Sequence, residues 1–354
     1  MRNARKMAGI VAGVLVLSLI AAACSNGNDN AGDGGTGSTG TGPTGTTGLS
    51  GSITVSGSST VLPISNLVAE LFSEQNPGVQ VSVDGPGTGD GFVLFCKGET
   101  DISDASRPIE DDEKTACSDG GIDYVEIAVA FDGITVMTNP ENGDVTCLDS
   151  GDLYALFGPE SEGFKTWADA DTLAKQVGGN GGFPDAPLEI TAPGAESGTY
   201  DAFIELSGIT EIALAQGLTE DQSATLRPDY QSSPDDNVII QAMEGSPGAL
   251  GFVGFAYAEG AADQIKIIQV DGGDGCVEPT RDTIADGSYP LSRTLYIYVN
   301  KAKISSNPAM KAFVDLYLSD DGVKSSVQQA GYVDLPTDRV EKTRSTWQGF
   351  EKTA

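Results

Sequence analysis

An α/β fold in two lobes is what this sequence predicts, on three observations. Strand-like and helix-like segments alternate along the chain after residue 50, the pattern of sheet and helix layers rather than of a bundle or a sandwich. Two long β-prone runs, near Ile134–Met137 and Arg293–Val299, look like a pair of crossings that join one lobe to another. With 354 residues, 39% of them hydrophobic, the chain can bury a core in each lobe. Lobe 1 is expected at 51–133 plus 293–354 and lobe 2 at 134–292.

The elements follow from apolar spacing and punctuation. Ile53–Val55 reads as a short strand. Leu62, Leu67, Val68, Leu71 and Phe72 have helical spacing, and Asn76-Pro77-Gly78 ends that helix. Val79–Val83 alternates as a strand. Gly85–Gly91 is a glycine-rich turn that leads into a short helix near Phe92–Cys96. Asp101–Ala105 is a strand and Glu110–Cys117 an acidic helix. Tyr124–Met137 is β-prone and is expected to break at Asp132-Gly133. Leu148–Phe157 reads as a helix, Leu188–Thr191 as a strand, and Thr199–Leu206 as a helix opened by Ser197-Gly198. Asp235–Met243 is helical; Ala249–Val253, Ile265–Val270 and Leu295–Val299 are strands. Asn307–Leu318 and Gly322–Ala330 are closing helices. No internal repeat is visible.

The first fifty residues read as targeting, not fold. Arg2, Arg5 and Lys6 precede an almost wholly apolar run from Met7 to Ala23, and Ala21-Ala22-Ala23-Cys24 follows. Residues 1–23 resemble a bacterial lipoprotein signal, with Cys24 as the lipidated residue; a nearby secretory cleavage or an uncleaved anchor is the alternative. From Cys24 to Ser50 the chain is rich in Gly, Thr, Ser and Asn, too polar to offset the entropy of ordering, and reads as a tether. The expected location is extracytoplasmic, held to the cell membrane by lipid alone. No other stretch is long and apolar enough to span a bilayer.

Composition excludes much. There is no histidine, so imidazole ligands and Ser-His-Asp chemistry are ruled out. The formal net charge is −31, without a basic stripe to displace counterions, so nucleic acid is not an expected partner. That charge does not exclude a small anion, because surface charges more than about 8–10 Å away are screened at physiological salt. Besides Cys24, the even set Cys96, Cys117, Cys147 and Cys276 implies disulfides in an exported chain. Of the three possible pairings, Cys96–Cys117 and Cys147–Cys276 are favoured, since each pair then lies within one expected lobe. With no His and no C-x-x-C, no metal is expected, and no cofactor either.

Three polar segments carry the chemistry. Ser56–Val61 lies between a strand and a helix, where the free N–H groups of the first turn and the hydroxyls of Ser59 and Thr60 can face one anion. Ser197-Gly198-Thr199 repeats that arrangement in the second lobe, with Gly198 allowing close backbone approach. Plain N-capping is the bland alternative for both. Arg107, in Ala105-Ser106-Arg107-Pro108, offers a guanidinium fork for two anion oxygens, against the alternative of a surface ion pair. Thr88 adds a hydroxyl in the glycine-rich turn.

Taken in order, Gly-Ser-Ser-Thr at 57–60, Gly-Thr-Gly-Asp-Gly-Phe at 87–92, Asp-Ile-Ser-Asp-Ala-Ser-Arg-Pro at 101–108 and Glu-Ser-Gly-Thr-Tyr-Asp at 196–201 resemble the phosphate-binding lipoproteins of bacterial phosphate ABC importers. The likeness runs from about Ile53 to Leu335. It implies a type II periplasmic-binding fold that closes on inorganic phosphate through Ser59, Thr60, Val61, Thr88, Arg107, Ser197, Gly198 and Thr199. It also implies a monomer that delivers phosphate to permease subunits. The best-known branch of that family carries Arg shortly before Ser-Gly-Thr and Asp after Ala-Ser. Here Pro193 stands near the first place and Arg107 takes the second, so the carboxylate that would accept the phosphate proton is open among Glu196, Asp201 and Asp90. Binding of another oxyanion such as sulfate or molybdate, or a surface role as adhesin or sensor partner, are the competing readings. An enzyme, such as a phosphoester hydrolase with Ser59 or Ser197 as nucleophile, is not expected: there is no histidine base, no dense metal-ligand motif and no G-x-S-x-G elbow; with no G-x-x-x-x-G-K-[ST] loop, transport energy is expected from the permease's ATPase.

Overall fold

A computed structural model of the chain describes residues 48–351. The signal segment, Cys24 and nearly all of the tether lie outside the described residues. Eleven strands are present among them: β1 (Gly51–Gly57), β2 (Val79–Asp84), β3 (Ile102–Ala105), β4 (Tyr124–Thr138), β5 (Cys147–Asp149), β6 (Glu189–Ala192), β7 (Gln231–Ser232), β8 (Ala249–Gly254), β9 (Lys266–Asp271), β10 (Cys276–Val277) and β11 (Ser292–Asn300). Their order is β2-β1-β3-β11-β4-β8-β6-β7, with β9 against β4 and carrying β5 and β10. The first three strands are mutually parallel, and β11 returns antiparallel between β3 and β4.

β4 is the axis of the molecule. Tyr124–Gly133 pairs with β11, and Ile134–Thr138 pairs with β8. The partner therefore changes at Gly133/Ile134, without the break expected at Asp132-Gly133. Two side chains explain the continuity. Asp132 faces Arg293 in register, and the pair is buried as an ion pair. Gly133 leaves room for Ile284, whose Cδ1 would stand only 2.5 Å from a Cβ placed there.

Two main apolar cores flank this axis. One is built from β1 and the helices Leu62–Gln75 and Pro308–Tyr317, with Phe72 edge-on to Phe313. The other gathers Tyr154, Phe157, Phe203 and Phe252 around β8 and the helix Gly198–Ser207. The disulfides Cys96–Cys117 and Cys147–Cys276 are both formed, the first between helices Thr88–Cys96 and Asp111–Asp119, the second between β5 and β10.

Further details depart from the sequence reading. The glycine turn is shorter, because the helix begins at Thr88 rather than near Phe92. Leu148 belongs to β5; the next helix starts at Ser150, capped by Asp149, which accepts from Asp152 N at 2.8 Å. A final helix, Thr337–Glu351, was not foreseen. The two crossings are joined by a third: Val333 makes a two-hydrogen-bond bridge with Phe131, and Leu335 and Val340 bury in the second core while Trp347 buries in the first. Among the described residues, no helix is long and apolar enough to cross a membrane.

Candidate functional site

β1 delivers the first polar loop. At its end Ser58 turns the chain: its N–H donates to the Asp104 carbonyl at 2.9 Å, and its carbonyl accepts from Leu62 N at 3.0 Å. Its Oγ receives the amides of Thr60 and Val61 at 3.2 and 3.4 Å. This corrects the expectation that the first-turn amides stand free. Ser58 covers two of them over long bonds, and Pro63, in the first turn, brings no N–H at all. The side chain of Val61 is buried in the first core, so only its backbone can serve a ligand. Ser59 and Thr60 keep their hydroxyls at the loop tip, with Ser59 partly exposed.

The second loop approaches from the other core. Ser197 caps the helix Gly198–Ser207, its Oγ accepting from Thr199 N at 3.1 Å. Gly198 then lies against the first loop: a Cβ placed on it would sit 3.3 Å from both the Ser59 carbonyl oxygen and the Thr60 Cα. No larger residue allows this approach without moving one loop. Ser59 Oγ donates to Asp201 Oδ2 at 3.3 Å, a bond between residues 142 positions apart. The structure thus brings Ser59, Thr60 and Gly198 together, with Ser197 and Thr199 flanking them. Two helix N-termini converge there, which favours negative charge.

Thr88 stands beside this centre. Gly87 N donates to Gly57 O at 2.9 Å, which sets the start of the helix Thr88–Cys96 next to the end of β1. The Thr88 hydroxyl is engaged by Ser106, through its Oγ at 3.1 Å and its N–H at 3.2 Å. Arg107 is held by carboxylates of its own segment. Its fork lies on Glu113, with Nη1 and Nη2 each 2.8 Å from a carboxylate oxygen, and Nε is 3.1 Å from Glu110. Glu113 stands only six positions after Arg107, so the short helix that follows supplies its counter-ion at once.

Another cation meets the loop instead. Arg293, on β11, donates through Nη2 to Thr60 Oγ1 at 2.9 Å. It also contacts Asp132 at 3.3 Å and Glu205 at 2.5 Å, with its own side chain 8% exposed. Burial works against its charge, but Asp132 and Glu205 outweigh burial and leave its pKa raised. The sequence carried a weak signal for it: Arg293 starts an apolar strand, an unusual place for charge, yet its partners come from 88 to 233 positions away.

Of the three open carboxylates, all exposed, Asp201 is the one bonded to the loop. Desolvation raises the Asp201 pKa, against the Ser59 hydrogen bond and the attraction of Arg293. Asp104 lies beneath the loop with no exposure, and neither carboxylate oxygen has a hydrogen-bond partner among the described residues. Burial, helped by Asp84 and opposed by Ser65, pushes its carboxyl up to about 7. The ensemble sets the Ser59 and Thr60 hydroxyls, the start of the helix Gly198–Ser207 and one buried guanidinium side by side. That set can desolvate and orient a tetrahedral anion. Within it no histidine exists to serve as a base.

Residues 41–321 match the family model described as a PBP superfamily domain. Protein SphX of Synechocystis is 40% identical over 288 residues, covering 81% of this chain and 79% of that protein. The phosphate-binding protein PstS of Staphylococcus haemolyticus is 35% identical, covering 91% of this chain and 90% of its own length. Among solved structures, a possible phosphate-binding protein from Planctomyces limnophilus superposes with a TM-score of 0.75 at 36% identity, over 85% of this chain and 99% of that one. An ABC-type phosphate transport receptor from Vibrio cholerae gives 0.55 at 26% identity, over 80% and 100%. With the matched segment spanning both cores and both loops, this chain belongs to the PBP superfamily.

Proposed function

We propose that this protein captures inorganic phosphate between two lobes hinged at Gly133/Ile134 and delivers it to the permease of an ABC importer. One observation carries the reading: the tips of two polar loops, from two separate cores, meet where Gly198 seats against Ser59 and Thr60. Ser59, Thr60, the Val61 backbone, Ser197, Gly198 and Thr199 form the cradle. Thr88 and Arg107 stand at its side and join by giving up Ser106 and one arm of Glu113. Lobe closure replaces water around the anion with fixed dipoles, and it is driven only by contacts better made in the closed state. The chain binds and does not turn over its ligand; the importer's ATPase supplies the energy. Asp201 is the carboxylate that accepts the phosphate proton, a role that fully ionised sulfate cannot satisfy. Cys24 anchors the protein by lipid on the outer side of the cell membrane; finding Cys24 unmodified by mass spectrometry of the membrane-bound protein would remove that part.

Calorimetric titration with phosphate and then sulfate, at two pH values, tests the reading. One-to-one phosphate heat with none from sulfate is expected, and the Asp201→Asn variant narrows that difference. Equal heats from both anions, or none from either, would overturn phosphate specificity.

A further inference from the structure

We infer that Arg293 is a positioning residue that couples closure of the two lobes to the anion loop, an inference that rests on the reading of that loop given above. Three contacts converge on one guanidinium. Nε faces Asp132 across the β4–β11 pair, at 3.3 Å. Nη2 donates to Thr60 at the tip of the first loop, at 2.9 Å. Nη1 donates to Glu205, at 2.5 Å, on the helix whose first turn is the second loop. The cation therefore holds the axis strand, one loop and the opposite helix at the same time.

The Asp132 pair alone would compensate a buried charge, since both side chains are largely shielded, 8% and 5% exposed. The other two contacts do something different. Thr60 and Glu205 belong to elements from different cores, so separating the lobes moves one away from the other. A single guanidinium cannot reach both once they part. Its planar fork, with donors pointing three ways, suits this task, whereas a lysine ammonium on a flexible stem does not fix three directions. The contact is also selective in its cost. Glu205 is 54% exposed, so breaking its bond returns it to water without stranding a buried charge. Asp132 stays paired throughout. Arg293 is thus anchored on the axis and releases on the lobe side, which is what a reversible closure tie requires. The only other side-chain hydrogen bond described between the two loops' elements, Ser59 to Asp201, is long at 3.3 Å and solvent-facing.

The test uses the full chain with donor and acceptor dyes on exposed Glu74 and Glu211, one on each side of the axis, introduced as Glu74→Cys and Glu211→Cys. Glu205→Gln is the primary variant because its site is exposed and its folding is not at risk. Before phosphate is added, the dye separation should lengthen in Glu205→Gln relative to the parent. Phosphate dissociation, followed by stopped flow, should quicken on the order of tenfold, the usual place where loss of a charged pair is felt. Arg293→Lys should give an intermediate result, and Glu205→Gln should add nothing further in an Arg293→Gln background. Parent-like dye separation and dissociation in Glu205→Gln, or effects of Glu205→Gln and Arg293→Gln that simply add, would overturn the inference. If phosphate failed to bind even the parent, the anion reading would fall, while the dye separation measured without phosphate would still decide whether Arg293 holds the lobes together.

Discussion

Asp104 shows how a single residue can be visible in sequence and opaque in role. It stands in Asp-Ile-Ser-Asp-Ala-Ser-Arg-Pro, where Arg107 draws attention, yet its carboxyl is fully buried, as are the neighbouring Ser65 and Ser103. Alternation along β3 puts it on the face of Ile102, toward the helix Leu62–Gln75, where Ser65 Oγ and Tyr317 OH are bonded to each other at 3.0 Å. Burial raises its carboxyl from the ordinary 3.8 to about 7, so the folded protein holds a proton that the unfolded chain gives up. Stability from this group is complete below the unfolded value and is lost as pH rises through about 7. Asp104→Asn, which keeps the shape without the charge, should therefore melt closer to the parent at pH 4 and clearly above it at pH 8. Melting curves of both proteins at these two pH values check it; a parallel decline in the two would show that Asp104 is ionised in the fold. Arg293 was harder to read than Asp104, because its meaning is set by register with Asp132, 161 residues earlier, and no local pattern encodes that pairing. Asp201 was within reach, as it closes the Glu-Ser-Gly-Thr-Tyr-Asp motif.

Elements with strong local chemistry were legible; those made by distant partners were not. The helices Gly198–Ser207, Asp236–Gly245 and Pro308–Tyr317 begin at Ser197, Asp235 and Asn307, each of which caps its helix with a side-chain oxygen, as their types suggest. Thr337–Glu351 was missed because its apolar residues are sparse, and only docking onto both cores gives Val340 and Trp347 a place to bury. β4 runs through Asp132-Gly133 because the Arg293 pair and the Ile284 side chain reward a continuous strand there, against the turn preference of Asp-Gly. Strands β5 and β10 are three and two residues long, too short to persist without support. Both pair with β9, and the Cys147–Cys276 bond ties their ends together. It closes a loop of 129 residues, for which the chain-entropy account gives about 4–5 kcal/mol. Replacing both cysteines by serine should lower stability by that order in denaturant titrations, and much more than loss of Cys96–Cys117 scaled by loop entropy alone would suggest if β5 and β10 also detach. An unchanged midpoint would mean that the strands are held by β9 without the bond.

At the scale of the whole molecule, two cores on one chain raise the question of whether they unfold together. Lobes joined by flexible linkers generally melt apart, because few contacts cross between them. Three crossings run between these cores. β4 is shared end to end, so its residues Tyr124–Gly133 and Ile134–Thr138 belong to one strand with two sets of partners. β11 returns beside it. The C-terminal segment pairs Val333 with Phe131, seats Leu335 and Val340 in the second core and Trp347 in the first, and bonds Thr343 Oγ1 to the Ala128 carbonyl at 3.3 Å. Unfolding the second core would strip Ile134–Thr138, a third of β4, and the tail from the first, exposing Trp347 to water. Each core thus loses part of its own support when the other opens. A calorimetric scan should show one transition, with the van't Hoff enthalpy close to the calorimetric one. Removing residues 337–354 takes away Val340 and Trp347 but leaves β4 and β11, and should lower the melting temperature while splitting or broadening that transition. Two resolved peaks in the intact chain would mean that the shared strand bends without transmitting stability, and that the tail merely lies on both cores without binding them into one cooperative unit.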